Sequence, residues 1–357
     1  MVGKLRFGVY DELHNGAGID GAKTTWEVFH LAELADQLGY DIFSVIEHHF
    51  FQEFSISANS LAFFSALARK TSHLRFRTLC HTLPLRNPVV FAGEAAFADI
   101  LTNGRLDIGV GRGHAWEYPA AGMPMEETQG RYEESLDIIE LAWTRERFSY
   151  DGKYYKLQDV AVVPKPIQKP YPPVYMVGTS GAAFERGARK GWALAFGGPV
   201  PVSFFKAGVD RYREACAKHG IKPTVAAVRA VYIGEDEARI RAECEPALKR
   251  FYAYSATALP TLRRDPAMKQ RLIDSNYAFY ASDVMEQLPG LSYEKIVNEA
   301  YVYAGSAQKV LDQCGALMKE VEIDELLIIS HFANLEPWKA ARTQELFARD
   351  VIPHLGR

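Results

Sequence analysis

The chain alternates short apolar runs with longer stretches in which apolar residues recur at helical spacing. The short runs are rich in β-branched and aromatic residues, which is typical of buried strands. They cover residues 5–10, 42–47, 74–78, 106–110, 174–177, 193–196, 225–233 and 325–329. The longer stretches predict helices over about 58–70, 88–101, 130–143, 181–190, 202–218, 307–319 and 337–349, with two more that end at Gly39 and begin near Glu235.

The first predicted helix has a start signal and a stop signal. Thr24 and Glu27 form a Thr-x-x-Glu pattern, in which each side chain can bond the other residue's backbone amide, and this capping box predicts the helix start. Apolar positions then recur at helical spacing from Val28 to Leu38, and Gly39 predicts the helix end.

Strands that alternate with helices are joined by crossover connections, so neighbouring strands are expected to run parallel. Eight such strands fit a closed (β/α)8 barrel better than an open sheet. An open, doubly wound sheet is the structural alternative. We therefore expect an α/β fold, a TIM barrel with insertions, formed by a single domain over residues 1–357.

Two segments interrupt the barrel pattern. Aromatic runs flank Asp151 and Gly152, which predicts a β-hairpin near 148–156. Residues 255–304 contain scattered prolines and several tyrosines but no predicted barrel strand. An insertion of this length is more typical of a lid over an active site than of a separate domain.

Composition and charge exclude several classes of partner. The formal net charge is −3 with acids and bases interspersed, so no basic stripe predicts nucleic-acid binding and no polybasic segment predicts membrane attachment. The cysteines lack Cys-x-x-Cys spacing, which favours reduced thiols over disulfides or a zinc site. Because the sequence starts without a signal-peptide pattern and contains no bilayer-spanning apolar run, we expect a cytoplasmic protein.

The second predicted strand leads into Glu47-His48-His49. In a parallel barrel, the carboxyl ends of the strands form the face that carries active sites. Neighbouring side chains on a strand point to opposite faces, so only one of the two histidines is expected to face the barrel mouth. A histidine in a mostly apolar pocket is suited to act as a general base, while two packing histidines are the structural alternative.

A metal site is a further interpretation of the same region. Glu47, His48, His49, His81 and His114 all fall near predicted strand ends, and carboxylates with imidazoles suit zinc or iron. Metal-dependent barrel hydrolases usually place a His-x-His pair on the first strand, which has no histidine here. We therefore expect no metal.

Two turns predict an anion site. Gly109-Val110-Gly111-Arg112-Gly113 ends the fourth strand, where glycines allow close backbone approach and Arg112 adds a charge-assisted grip, although an ordinary tight turn has the same pattern. After the fifth strand, Thr179 and Ser180 precede a helix whose N-terminal amides suit a phosphate as well as an ordinary cap. Because the two strands are expected to be adjacent, we predict one phosphate pocket.

Taken together, these residues resemble the bacterial luciferase-like family of flavin-dependent monooxygenases. The similarity extends over most of the chain, from Phe7 to Leu355. It is carried by Glu47-His48-His49-Phe50, Thr82-Leu83-Pro84, Asn87-Pro88-Val89, Asn103-Gly104-Arg105-Leu106, the glycine turn with Arg112, and Tyr175-Met176-Val177 ahead of Thr179 and Ser180.

The resemblance implies an eight-fold barrel that binds reduced FMN at its mouth. Its cofactor-binding residues would be Leu79, Cys80, Arg112, Thr179 and Ser180. The first two would lie beneath the flavin and be joined by a non-proline cis peptide. The other three would hold the phosphate.

The resemblance also implies a monooxygenase that uses reduced FMN and O2, through a flavin hydroperoxide, to oxidise a small organic substrate. His48 matches the family's general base, and Glu47 beside it is the second candidate catalytic residue. Trp116, Glu117 and Tyr118 would either line the substrate side or form an exposed loop with one packed tryptophan. A flavin reductase that supplies the reduced cofactor and a homodimer are implied as well.

Two positions depart from the luciferase pattern. Gly111 stands where luciferase has a cysteine, which argues against light emission and against an aldehyde substrate. Thr179 stands where luciferase has a glutamate, and a hydroxyl beside a phosphate avoids like-charge repulsion. The alternative functions are an oxidoreductase that uses a deazaflavin coenzyme in the same pocket and a flavin-binding protein without turnover.

Overall fold

Eight parallel strands form a closed barrel at the centre of the computed structural model, which describes residues 4–15, 20–51, 53–177, 181–198, 201–263, 266–275, 277–282, 287–333 and 335–356. The barrel strands are β1 (Arg6–Asp11), β2 (Ile42–Val45), β3 (Arg75–Thr78), β4 (Leu106–Gly111), β5 (Val174–Val177), β6 (Ala193–Gly197), β7 (Val225–Ile233) and β8 (Glu325–Ile329). Each strand pairs in parallel with the next, and β8 pairs with β1. The predicted TIM barrel is confirmed, and the open doubly wound sheet is excluded.

The helices lie between and around these strands. They are α1 (Gly21–Gln37), α2 (Ser60–Leu67), α3 (Pro88–Leu101), α4 (Glu117–Ala120), α5 (Thr128–Thr144), α6 (Gly181–Lys190), α7 (Ser203–Lys218), α8 (Glu237–Arg263), α9 (Pro266–Asp274), α10 (Ala278–Ala281), α11 (Tyr293–Asn298), α12 (Ala307–Glu320) and α13 (Pro337–Leu346). Among the described residues, no helix is long and apolar enough to cross a bilayer.

Both predicted interruptions of the barrel are present. Phe148–Asp151 and Lys156–Val160 form the antiparallel hairpin. The second interruption begins later than predicted, because α8 continues as one helix to Arg263. The helices α9, α10 and α11 follow, and Tyr303–Gly305 then pairs with the end of β7.

The predicted capping box of the first helix is wrong. Helix α1 starts at Gly21, and its N-cap is Asp20, whose Oδ1 accepts a hydrogen bond from the Ala22 N–H at 2.9 Å. The Thr24 N–H already donates to the Asp20 carbonyl at 3.0 Å, so Thr24 lies inside the helical hydrogen-bond ladder. An acidic N-cap residue placed before the apolar stripe therefore starts the helix.

Buried charges fill the amino-terminal half of the barrel. The guanidinium of Arg77 donates to Asp107 Oδ2 from Nη2 at 2.8 Å and also pairs with Glu325. It lies 3.4 Å from the ring centroid of Tyr175. Because these groups satisfy one another, this half of the barrel is a packed ionic core. The carboxyl ends of the strands remain as the face for chemistry.

Candidate active site

His48 and His49 follow the end of β2 in irregular backbone. The strand ends at Val45, so the alternation on which the sequence argument rested stops before either histidine. The two side chains diverge nevertheless. His48 is buried, and its backbone N–H donates to the Ser57 carbonyl at 2.9 Å, whereas the half-buried His49 lies with Nε2 3.5 Å from Glu47 Oε1.

Aromatic rings surround the His48 imidazole. The ring centroids of Phe54, His114, Trp116 and Phe51 lie 4.8, 5.2, 5.9 and 6.2 Å from that of His48. Burial in this environment lowers the pKa of His48 to about 2, with a smaller contribution from nearby histidines. His48 is therefore neutral at physiological pH.

Trp116 makes a direct hydrogen bond to His48. Its indole Nε1–H donates to His48 Nε2 at 2.8 Å. The other imidazole nitrogen, Nδ1, is buried and has no hydrogen-bond partner among the described residues. Trp116 itself is half-buried, and its ring stacks on that of His114 with centroids 4.3 Å apart and planes at 6°.

Glu47 lies behind the mouth rather than against His48. Its Oε2 accepts hydrogen bonds from His81 Nδ1 at 2.9 Å and Arg86 Nη2 at 2.7 Å, and its Oε1 accepts from Arg86 Nε at 3.0 Å. Burial alone would raise the pKa of Glu47, but the charge of His81 and hydrogen bonds from His49, His81 and Arg86 hold it well below its usual value.

In the described part of the chain, no cluster of three potential ligands is arranged for a metal ion.

Glu117 joins the loops that follow β2 and β4. Its carboxylate accepts the backbone N–H of His49 at 3.0 Å and that of His114 at 2.8 Å. Burial raises the pKa of Glu117 to about 7, against the opposing effect of these two N–H donors. Glu117 and Tyr118 are both buried, so the exposed-loop alternative is wrong for them. In the sequence, Glu117 is an acidic residue shortly after a glycine turn. This pattern does not predict hydrogen bonds to two different loops.

The peptide bond between Leu79 and Cys80 is cis, as the resemblance implied. Cys80 lies directly against Gly111 of β4. A Cβ atom built on Gly111 would be 2.2 Å from Cys80 Sγ, so the thiol fills the space of a side chain at position 111. Burial raises the pKa of Cys80 to about 12, with a further rise from the Glu117 charge. The protonated thiol of Cys80, which follows β3, therefore occupies the space beside Gly111 on β4.

The 255–304 insertion contacts the turn that carries Arg112. Arg112 Nη1 donates to the Ser275 carbonyl at 2.7 Å, and its guanidinium lies 4.1 Å from the Tyr277 ring centroid. The Tyr277 hydroxyl donates to the Arg112 carbonyl at 3.2 Å, and the Tyr280 hydroxyl lies 2.8 Å from His114 Nδ1. The segment predicted to be a lid therefore packs on the predicted phosphate turn.

A cleft of about 270 Å³ lies between α5 and α6, beside the end of β5. Tyr132, Arg186 and Arg189 are among the side chains that line it. Burial raises the pKa of Tyr132, and the charges of Arg186 and Arg112 oppose that rise. Tyr132 and Arg186 could not be predicted from sequence, because their helical positions alone indicate ordinary amphipathic packing.

The cleft is lined by two arginines, Arg186 and Arg189, and by the acidic residues Glu133 and Asp137. Arg186 pairs with Asp137 and donates from Nη1 to the Glu133 carbonyl at 3.2 Å. Its Nε is buried and lacks a hydrogen-bond partner in the described ranges, which leaves one donor for a ligand. The predicted adjacency of β4 and β5 is confirmed. Thr179 and Ser180, the other predicted phosphate ligands, lie outside the described residues.

Comparisons with known proteins agree with this fold. A solved structure, the monooxygenase RslO1 from Streptomyces bottropensis, superposes with a TM-score of 0.82 at 23% identity over 98% of this chain and 99% of the other, which shows the fold. An FMNH2-dependent dimethylsulfone monooxygenase from Pseudomonas putida is 29% identical over 231 residues, or 61% of this chain and 62% of the relative.

An F420-dependent glucose-6-phosphate dehydrogenase from Segniliparus rotundus is 33% identical over 181 residues, which cover 46% of this chain and 52% of the relative. The matched segments thus span less than two thirds of both curated relatives. The family model described as luciferase-like monooxygenase matches residues 5–325. The chain therefore belongs to the luciferase-like monooxygenase family.

Proposed function

We propose that the protein is a monooxygenase that uses reduced FMN and O2 to oxidise a small organic substrate at the barrel mouth. The observation that carries this proposal is the position of the anion-binding donors relative to His48. Arg112 directly follows β4, Tyr132 and Arg186 line the cleft beside β5, and His48 lies among aromatic rings after β2. His48 and Arg112 follow carboxyl ends of barrel strands, where this fold holds its ligands, and Tyr132 and Arg186 lie on the helices α5 and α6.

Arg112 after β4 and the donors that line the cleft would hold the cofactor phosphate. Arg112 contributes a delocalised charge, Tyr132 a buried hydroxyl and Arg186 its unpartnered Nε–H. Thr179 and Ser180 are proposed as further ligands because they precede the N-terminus of α6. Reduced FMN supplies the reaction with O2.

Leu79 and Cys80 are proposed to lie beneath the flavin ring. Both belong to the barrel wall after β3, where Cys80 packs against Gly111. Its high pKa keeps the thiol neutral, so it adds no charge to this wall. A neutral, close-packed surface suits the planar ring of a flavin.

His48 is the residue proposed to move a proton at the substrate. Burial keeps its imidazole neutral, so one ring nitrogen presents the lone pair that a general base needs. The surrounding rings of Phe51, Phe54 and Trp116 exclude water from it. Glu47 is proposed to act indirectly, because its ion pair with Arg86 anchors the loop that carries His48.

Two partners are part of the proposal. An oxygenase that consumes reduced FMN needs a source of it, so a flavin reductase is proposed. A homodimer is supported by an apolar face on α3, where Val90, Phe97 and Leu101 are 56%, 55% and 42% exposed. Their spacing along the helix places them on one side, and large exposed apolar residues grouped in this way mark interaction surfaces.

Dependence on F420 is the second candidate, and the F420-dependent relative favours it. Oxygen uptake separates the two functions. The full-length protein is mixed with reduced FMN, O2 and a panel of organic compounds, and in parallel with F420 and the same compounds without O2. The proposal predicts substrate-dependent oxygen uptake with FMN, which His48→Gln abolishes while FMN binding persists. Substrate-dependent bleaching of F420, with no oxygen uptake in the FMN arm, would establish the second candidate.

A further inference from the structure

The hydrogen bond between Trp116 and His48 determines which imidazole nitrogen carries the proton. An indole N–H is only a donor, so the atom that it meets at 2.8 Å, His48 Nε2, must present its lone pair. A neutral imidazole keeps one ring proton. The proton of His48 therefore lies on Nδ1.

Among the residues that the structure describes, no acceptor beside Nδ1 selects this tautomer. Nδ1 is buried and has no hydrogen-bond partner in the part of the chain that the structure describes. A buried N–H without an acceptor is unfavourable, so the Nδ1 surroundings alone would not retain the proton there. The selection comes from Trp116.

Other side chains hold Trp116 in place. Its ring stacks on His114 at 4.3 Å, and the Tyr280 ring meets it edge-on with centroids 5.4 Å apart. Trp116 nevertheless belongs to the turn before α4 rather than to a barrel strand. The Trp116 side chain can therefore move away from His48 without breaking hydrogen bonds between barrel strands.

We propose that Trp116 is a positioning residue that fixes the Nδ1–H tautomer of His48 and covers its basic nitrogen until a substrate arrives. The inference rests on the proposed function, in which His48 moves a proton. Nε2 can accept a proton only after the indole N–H has been displaced, so the displacing molecule must bring a donor of its own. The aromatic ring of the displacing molecule takes the place of the Trp116 indole against His114. The substrate class is a planar aromatic compound with an O–H or N–H group.

The proton transfer balances without a further reactant. The O–H or N–H bond of the substrate breaks, its electron pair stays on the substrate oxygen or nitrogen, and the proton binds Nε2. His48 then carries protons on both nitrogens, and the adjacent substrate anion stabilises the positive charge that burial alone disfavours. The substrate becomes an anion, which is more electron-rich and therefore more readily oxygenated than the neutral compound.

Nitrogen-15 NMR of the full-length protein with labelled histidine tests the tautomer without any cofactor. The His48 signals are assigned from their loss in His48→Gln. The wild type should show a protonated Nδ1 and an unprotonated, hydrogen-bonded Nε2. Trp116→Phe keeps a ring but removes the donor, and it should increase the Nε2–H population at least several-fold. Trp338→Phe is the matched control, because it makes the same change at a 53% exposed residue of α13, and it should leave the tautomer unchanged.

A wild-type His48 with its proton on Nε2, or a tautomer that Trp116→Phe leaves unchanged, would overturn the positioning role. The substrate class is tested with phenol and its methyl ether anisole, which share a ring but differ in the donor. Phenol should bind the wild type at least ten-fold more tightly and shift the His48 Nε2 signal. Equal binding, or binding of neither, overturns the donor requirement. Because these readouts need no oxygen uptake, they remain separate from a failure of the proposed function.

Discussion

Cys80 and Gly111 meet so closely that one thiol fills the space of the missing side chain. A Cβ atom at position 111 would lie 2.2 Å from Cys80 Sγ and 3.3 Å from Cys80 Cβ. The first distance is far below van der Waals contact, while the second requires only a small adjustment. Glycine at 111 and cysteine at 80 are thus complementary in volume.

Gly111→Ala should lower the free energy of unfolding by about 1–3 kcal/mol, because the added methyl group overlaps Cys80 Sγ. Cys80→Ala in the same chain should restore most of that loss, since it removes the overlapping sulfur. Urea unfolding of the two single variants and the double variant measures the coupling. Gly93→Ala is the control: its Cβ would find nothing closer than Val162 at 3.7 Å, and alanine in helix α3 should stabilise by about 0.5–1 kcal/mol. Strictly additive effects of the changes at 80 and 111 would contradict this account.

Glu117 should make stability depend on pH. Its pKa is about 7 in the folded protein, above the ordinary 4.5, so the folded state binds the proton more tightly than the unfolded state. The resulting stabilisation is full below about pH 4.5 and is lost as the pH rises through 7, with a total on the order of 3 kcal/mol. Urea unfolding of wild type and Glu117→Gln measures it. The wild-type advantage should shrink between about pH 5 and 8, and an advantage that grows with pH would refute the assignment.

Arg112→Ala should weaken FMN binding by about 10- to 100-fold, the loss typical of a hydrogen bond to a charged group. Riboflavin lacks the phosphate, so its affinity should change little. Quenching of flavin fluorescence measures both affinities. Arg147→Ala is the matched control, because Arg147 pairs with Asp159 on the exposed hairpin. Equal losses for FMN and riboflavin would place Arg112 away from the phosphate.

Phe97→Glu should dissociate the proposed homodimer, because it puts a charge in the centre of the apolar face of α3. Light scattering after size-exclusion chromatography gives the mass directly. Trp338→Glu is a control at another exposed aromatic residue, 53% exposed on α13. A wild type that is monomeric at micromolar concentration would rule out this interface.

The barrel could be predicted from sequence because the pattern of a strand followed by a helix is repeated along the chain. Each strand is a short apolar run and each crossover an amphipathic helix, so an error at one boundary does not change the fold. Asp20 illustrates such an error: it caps α1 four residues before the predicted Thr24. Asn87, directly before Pro88, caps α3 where the sequence placed the helix start.

The candidate site was predictable only in part. His48 was expected at the mouth, but the argument from strand alternation does not apply, because β2 ends at Val45. The partners of Trp116 and Glu117 are set by contacts between loops that are far apart in sequence. Periodicity carries no information about such contacts. The contact between the Cys80 thiol and Gly111 likewise depends on how closely β4 approaches the segment after β3.

The central claim is that the barrel mouth binds reduced FMN and directs its reaction with O2. Rapid mixing tests this claim most directly: protein equilibrated anaerobically with reduced FMN is mixed with oxygenated buffer, and reoxidation is followed by absorbance, with F420 titrated in parallel. The account predicts that wild type binds reduced FMN more tightly than F420 and reoxidises it with kinetics distinct from those of free FMN, whereas Arg112→Ala approaches the free rate. Reoxidation at the free rate by wild type, with tight binding of F420, would contradict the account.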